Sequence, residues 1–264
     1  MSHPRSTVDI LKMLDRSNCG KCGEATCMAF AAKVFSGQRE LSECPGLAGE
    51  GAVAAPGRKS PAREMEESVA ALKAALAGAD LAEAAQRLSA RHEAGRLVLS
   101  VMGKDFAVDR EGRVFTDIHV NPWILFPVKE YVTRGQGLPL AGKWVGYREL
   151  PGGAAGHGLF VQRVEKPLRG IADQYPDLFR DLLELFSARQ VENQLGSDLS
   201  IVLHPLPLVP VLIAWWRPED GIESDAKLLF DETASRNLST DGIYALGAGL
   251  VQMFGKIAAK HGVR

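Results

Sequence analysis

The residues of this chain best suited to chemistry are its four cysteines, all within the first 44 positions. Cys19, Cys22, Cys27 and Cys44 follow the pattern Cys-x2-Cys-x4-Cys-x16-Cys. Disulfide frameworks are typical of small secreted domains, and the N-terminal residues 1–5 lack the apolar stretch of a secretory signal. Because clustered thiolates are ligands of iron–sulfur clusters and of zinc, we interpret these four thiols as metal ligands.

The residues around the cysteines favour a cubane cluster, in which four thiolates converge on one group. Gly20 and Gly23 directly follow cysteines, where the backbone has to bend and approach inorganic sulfide closely. Backbone N–H groups freed by such turns can donate to cluster sulfurs. Cys27 begins a predicted helix, whose positive end favours a negatively charged cluster. Pro45 fixes the chain direction after the last cysteine.

A zinc site is the alternative interpretation of the same four thiols. Zinc frameworks usually pair two Cys-x2-Cys knuckles, and this sequence contains one such pair followed by a long return to the last cysteine. The spacing therefore favours the cluster, and zinc stays the second reading.

Two short helices are predicted to hold the cysteine loop. The first begins near Ser6 and places Val8, Leu11 and Leu14 on one face. The second covers about 26–36. Between them lies a loop rich in glycine and small residues.

The composition of the chain changes after this segment. We predict a small helical iron–sulfur domain at 1–47, a flexible or extended linker at 48–61, and a larger domain at 62–264. Runs of strands and helices without regular alternation indicate an α+β fold for the larger domain. Helices are predicted at 62–77, 80–91, 122–134, 177–190 and along an apolar stripe from 243 to 257; strands at 97–101, 106–108, 114–115, 199–203, 209–216 and 227–230.

Other polar or aromatic candidates in the larger domain receive structural interpretations. The glycine-rich segment 151–158 lacks the ending of a P-loop, and we expect a flexible surface loop there, followed by a strand and carrying an exposed His157. His204 is expected at a strand edge, and Asp231 as a helix N-cap. The tryptophans are expected in the core or in a groove. No residue is assigned a catalytic role.

The overall composition bounds the partners of the protein. With 264 residues and a formal net charge of −1, the chain gives no bulk electrostatic reason to expect nucleic acid. No apolar run approaches the roughly 20 residues that span a bilayer. We therefore expect a cytoplasmic protein without a membrane span.

Residues 6–47 resemble the small four-cysteine domain of the large subunit of the corrinoid iron–sulfur protein and of the B subunit of the Rnf electron-transport complex. The stretch 18–31 (NCGKCGEATCMAFA) and Cys44-Pro45 carry the resemblance, which covers less than a fifth of the chain. It implies one [4Fe–4S] cluster with the four cysteines as ligands.

Residues from about 94 to 260 resemble the domain-of-unknown-function family DUF3786, which is often found in anaerobes. The stretches 205–211 (PLPLVPV) and 228–231 (LLFD) carry this second resemblance. It implies anaerobic metabolism but supplies neither an activity nor a catalytic residue.

Three functions follow as hypotheses. In the first, the cluster transfers single electrons at low potential to or from a partner protein or its cofactor, within a corrinoid or ferredoxin-linked system. In the second, the protein is a redox enzyme whose larger domain binds a substrate or organic cofactor in a pocket lined by tryptophans and the proline-rich strands. In the third, it is a binding or assembly factor with a structural metal. We favour the first.

Overall fold

The structure is a computed structural model, and it describes residues 6–35, 39, 41–47, 61–175, 177, 181–182 and 185–261. The chain forms two compact units, Met1–Glu67 and Ser68–Arg264. The predicted linker at 48–61 lies outside the described residues except for Pro61, where a helix begins.

The first unit contains two helices and two short 3-10 turns around a small core. Its elements are α1 (Thr7–Met13), α2 (Cys27–Phe35) and 3-10 turns at Leu41–Glu43 and Pro45–Leu47. Ser6 caps α1, since its Oγ accepts a hydrogen bond from the Asp9 N–H at 3.2 Å. The core consists of buried side chains from these elements: Ile10, Leu14, Cys27, Phe30, Ala31, Val34, Leu41 and Cys44.

The buried face of α1 differs from the predicted one. Val8 is 49% exposed, whereas Ile10 and Leu14, four residues apart, are buried and Leu11 is half-buried against them. The buried face is therefore rotated away from Val8, because positions four apart lie on the same side of a helix.

The second unit is an α+β domain with two antiparallel sheets, which confirms the predicted fold class. The first sheet has the order β1-β2-β3-β4 and the second the order β5-β9-β8-β7-β6. Met102, in the turn after β2, donates its N–H to the carbonyl of His204 in β7 at 3.1 Å, which joins the sheets. The strands are β1 (Arg91–Glu93), β2 (Arg96–Val101), β3 (Lys104–Val108), β4 (Val114–Thr116), β5 (Trp144–Gly146), β6 (Arg189–Gln190), β7 (Leu199–Leu206), β8 (Val209–Trp216) and β9 (Asp225–Asp231).

Helices cover the sheets and supply most of the remaining core. They are α3 (Pro61–Ala77), which contains the boundary between the units, α4 (Leu81–Arg87), α5 (Pro122–Arg134), α6 (Gly153–Phe160), α7 (Lys166–Gln174), α8 (Ala234–Asn237) and α9 (Thr240–His261). A π-helical turn at Val161–Glu165 joins α6 to α7. The segment 240–259 of α9 is long and apolar enough to cross a membrane, with a mean hydropathy of 1.2, but 56% of it is buried, as in a core helix.

Several sequence predictions for this unit need correction. The segment 151–158 is not a loop before a strand, because α6 begins at Gly153 and runs to Phe160. The helix predicted at 80–91 ends at Arg87, and Arg91 begins β1. The helix predicted at 177–190 lies partly outside the described residues, and its last two positions form β6.

Candidate metal centre

Cys27 is fixed at the start of α2 by two neighbours. Its N–H donates to Asn18 Oδ1 at 2.7 Å, and the Asn18 N–H donates to Cys27 Sγ at 3.3 Å. Thr26 Oγ1 accepts from the Ala29 N–H at 3.1 Å and caps the same helix. Two N–H groups of the first turn are thus satisfied locally, and the partial positive charge of this helix end lies beside the Cys27 sulfur.

The loop before α2 adopts the left-handed backbone that its residues allow. The φ angles of Asn18, Gly20 and Gly23 are 50°, 66° and 81°. The Gly23 N–H donates to the Gly20 carbonyl at 2.9 Å and closes a tight turn around Cys22. Glycine accepts such angles without steric cost, and asparagine tolerates them better than most residues.

The structure brings three of the four thiols to one core. Cys27 and Cys44 are buried, with 8% and 5% exposure, and the half-buried Cys22 packs against the same apolar cluster. Cys19 is exposed. Hydrogen bonds from the Lys21 N–H and from the Ser17 hydroxyl lower the pKa of the Cys19 thiol and favour its thiolate.

The donor set has the chemistry of an iron–sulfur site. Over the described part of the chain, no three His, Cys, Asp or Glu side chains lie close enough together to enclose a metal ion. The four thiols nevertheless lie in the small first unit, and the Asn18 N–H already reaches a thiol sulfur, as N–H groups do around inorganic clusters. The chemistry of the four thiols therefore suits a thiolate-bound cluster, while their positions do not converge on one point.

An exposed carboxylate lies beside the buried Cys27. Asp15 Oδ1 is 4.0 Å from Cys27 Sγ and accepts hydrogen bonds from the N–H and the hydroxyl of Ser17, at 3.0 and 2.9 Å. These hydrogen bonds lower the pKa of Asp15. A Cβ placed on Gly46 would lie 3.1 Å from Asp15 Oδ2 and 3.8 Å from Cys44 Sγ.

An ion-pair network links the cysteine loop to the segment that carries Cys44. Glu24 is buried and its Oε1 accepts from Lys33 Nζ at 2.7 Å, with Arg39 Nη2 at 3.5 Å. Arg39 Nη1 donates to Glu43 Oε2 at 2.6 Å. Since Glu24 precedes Cys27 and Glu43 adjoins Cys44, Arg39 connects the two segments that carry these candidate ligands.

The cysteine pattern did not predict Asp15, Asn18 or Arg39 as parts of the site. The signal for Asn18 was present, because asparagine directly before the first cysteine suits a left-handed backbone. Asp15 and Arg39 carried no signal, because their contacts with Cys27 and Glu24 join residues 12 and 15 positions apart in the chain.

The polar candidates of the larger unit have structural contacts. Asp231 is buried and accepts hydrogen bonds from the N–H groups of Ala141, Gly142 and Thr233, so it stabilises the turns that contain them. The N-cap of α8 is Thr233, and the prediction of Asp231 as the N-cap was therefore wrong. Burial and the charge of Arg189 lower the pKa of the half-buried His204.

Among the described residues, neither His157 nor any tryptophan belongs to a cluster of candidate metal ligands. His157 is half-buried, and its buried Nδ1 has no hydrogen-bond partner in the described part of the chain. Trp215 is buried and its Nε1 donates to Asp173 Oδ1 at 3.2 Å. Trp123 lines an apolar cavity between α5 and α9.

Fold and site together define a two-part protein, in which a cysteine-rich helical unit precedes an α+β domain. The model of the family "Domain of unknown function (DUF3786)" matches residues 80–253, about two thirds of the chain. The chain belongs to this family. A second model, described as "Putative Fe-S cluster", matches residues 14–45.

Curated relatives resemble the first unit. The acetyl-CoA decarbonylase/synthase complex subunit gamma of Methanothermobacter thermautotrophicus is 44% identical over 45 residues, which cover 17% of this chain and 10% of that protein. The same subunit of Methanosarcina acetivorans is 50% identical over 42 residues, or 16% of this chain and 9% of that protein. The corrinoid/iron-sulfur protein large subunit of Moorella thermoacetica is 45% identical over 42 residues, with the same coverage.

These similarities have a defined extent. The matched segment spans about a tenth of the length of these curated relatives. No solved structure matches the chain significantly. The comparisons thus identify an iron–sulfur region in the first unit, and an iron–sulfur cofactor for the chain.

Proposed function

We propose that the protein is an electron-transfer protein that holds one [4Fe–4S] cluster through Cys19, Cys22, Cys27 and Cys44. The observation that carries the proposal is the placement of Cys22, Cys27 and Cys44 against one small core, within the segment that matches the iron–sulfur model. When bound, the cluster supplies reversible one-electron chemistry. The residues of the chain hold it, donate N–H groups to its ligands and exclude water from two of them.

We propose a partner protein as the electron donor or acceptor. The matched relatives are named as a subunit of a complex and as a corrinoid/iron-sulfur protein, which supports a role beside other proteins in anaerobic metabolism. The exposed Cys19 supports outer-sphere transfer at the surface of the first unit. We propose a corrinoid or ferredoxin-linked partner and a cytoplasmic location.

The experiment is anaerobic purification followed by assays of iron, sulfide and zinc and by EPR spectroscopy before and after reduction. Cys27→Ala and Cys44→Ala are expected to lose most of the iron, because each removes a buried thiol. Trp123→Phe is the control in the larger unit and is expected to retain its iron. A chain that binds zinc in place of iron would contradict the proposal.

A second candidate function uses the larger unit as a substrate-binding domain. Trp123, Pro205 and Leu206 line the apolar cavity between α5 and α9, whose internal volume is about 60 Å³. This volume suits a few atoms and not an organic cofactor, so the cavity gives the redox-enzyme hypothesis weaker support. A coloured or fluorescent small molecule that co-purifies with the chain would favour it.

A further inference from the structure

We propose that Asp15 tunes the cluster as a negatively charged positioning residue that lowers its reduction potential. The inference rests on the proposed function and concerns a side chain outside the four-cysteine motif. It begins from one geometric fact: the Asp15 carboxylate lies 4.0 Å from the sulfur of the buried Cys27.

Two contacts define this placement. Asp15 Oδ1 is 4.0 Å from Cys27 Sγ. On the other side, Gly46 lies next to both Asp15 and Cys44, since a Cβ built on it would be 3.1 Å from Asp15 Oδ2 and 3.8 Å from Cys44 Sγ. The exposed carboxylate therefore lies beside the sulfur of the buried Cys27.

The carboxylate is held in this position by its own turn. Ser17 donates both its N–H and its hydroxyl to Asp15 Oδ1. These two hydrogen bonds restrict the rotation of the Asp15 side chain and fix its charge relative to Cys27.

The consequence follows from electrostatics. When a separate, reduced iron–sulfur electron carrier gives one electron to the cluster of this protein, the carrier is oxidised. The negative charge of the cluster and its thiolates then grows by one unit. A fixed carboxylate a few ångströms away disfavours this added charge. Because Asp15 is exposed and its charge is screened by water and salt, its removal is expected to raise the ratio of reduced to oxidised cluster about two- to fivefold at a fixed applied potential.

The test compares midpoint potentials of the anaerobically purified full chain, from EPR-monitored redox titrations. Asp15→Asn removes the charge and keeps an oxygen that accepts from Ser17; Asp15→Ser is a second neutral variant. Asp15→Glu keeps the charge, and Asp9→Asn removes a carboxylate near the far end of α1. We expect a positive shift in both neutral variants and wild-type potentials in the other two.

Three outcomes overturn the inference while wild type retains its cluster. The first is a midpoint potential of Asp15→Asn equal to that of wild type. The second is a shift in Asp15→Glu as large as the shift in Asp15→Asn. The third is loss of iron from both neutral variants but not from Asp15→Glu, because this result would assign Asp15 a structural role. A wild-type chain without an iron–sulfur cluster would instead refute the proposed function, so the two failures are distinguishable.

Discussion

Asn18 and Cys27 hydrogen-bond to each other in both directions. The Asn18 side chain accepts from the Cys27 N–H at 2.7 Å, and the Asn18 N–H reaches the Cys27 sulfur at 3.3 Å. One residue therefore completes the start of α2 and donates to a candidate ligand. This pair connects local helix capping to the chemistry of the site, because both contacts depend on the left-handed backbone of Asn18.

Asn18→Ala is expected to weaken cluster retention. The variant leaves the Cys27 N–H without its acceptor and places alanine at a φ of 50°, which together cost about 1–2 kcal/mol. The rate of iron loss to a chelator is expected to rise about fivefold or more. Asn18→Asp, which retains an acceptor oxygen, is the matched control. Equal rates for wild type and Asn18→Ala would contradict the assigned role.

Arg39→Ala is expected to loosen the segment that carries Cys44. It breaks the link from Glu24 to Glu43 and leaves the buried Glu24 with Lys33 as its cation. Iron content per chain after anaerobic gel filtration should fall, while the thermal unfolding of the larger unit stays unchanged. Arg63→Ala, which breaks an exposed pair with Glu67 on α3, is the control and retains its iron. Full iron occupancy in Arg39→Ala would refute this role.

Tyr131→Phe is expected to destabilise the larger unit. The buried Tyr131 hydroxyl donates to the Leu88 carbonyl at 2.8 Å and accepts from the Leu208 N–H at 3.2 Å, and burial raises its pKa. Loss of the hydroxyl leaves two backbone groups unsatisfied and costs about 1–3 kcal/mol. Tryptophan fluorescence during urea denaturation reports this unit, because every tryptophan of the chain lies within it.

The control for this experiment is Tyr244→Phe. The Tyr244 ring contacts Tyr147 and Phe160 edge-on, and its hydroxyl has no hydrogen-bond partner among the described residues. We expect its urea midpoint to stay close to wild type. A Tyr131→Phe midpoint equal to that of Tyr244→Phe would show that the buried hydroxyl contributes nothing.

Asp231→Asn is expected to lower the free energy of unfolding of the larger unit at neutral pH. In acid the same substitution is expected to lower it much less. Burial raises the pKa of Asp231, but its hydrogen bonds from Thr233, Ala141 and Gly142 outweigh burial, and the net pKa is lowered. A carboxyl group whose pKa is lower in the folded state contributes its full stabilisation of the fold at pH values above its unfolded-state pKa of about 3.9. This contribution is lost as the pH falls through the folded-state pKa.

The measurement is the urea midpoint of wild type and variant at several pH values. At pH 7 the variant should be less stable by about 1–3 kcal/mol, and the gap should narrow below about pH 4. Asp117→Asn, at an exposed position of the same unit, is the control. A gap of constant size from neutral pH to pH 3 would contradict the assignment.

Local patterns in the sequence predicted much of the fold. The start of α1 at its Ser6 cap, the hairpin of β2 and β3, and the full extent of α5 follow from capping, alternation and apolar spacing. Helix α5 runs through Pro127 and extends to Arg134. The four cysteines were evident from spacing, whereas their distribution between core and surface was not.

The glycine-rich segment at 151–158 shows where local patterns fail. Its composition predicts a loop, yet it forms α6, because small residues let this helix approach Tyr147 closely. A Cβ on Gly153 would lie 1.8 Å from the Tyr147 carbonyl oxygen, and Phe160 stacks on the Tyr147 ring at 4.3 Å. These contacts override the low helix propensity of glycine, and they depend on a close approach of backbone and rings that composition does not reveal.

The central claim is that the four cysteines hold one redox-active cluster. The most direct test is the quantification of iron and acid-labile sulfide in anaerobically purified protein, combined with EPR spectra before and after dithionite. The account predicts about four irons and about four sulfides per chain, with an EPR signal that appears on reduction. Stoichiometric zinc without iron and without a redox response would contradict it.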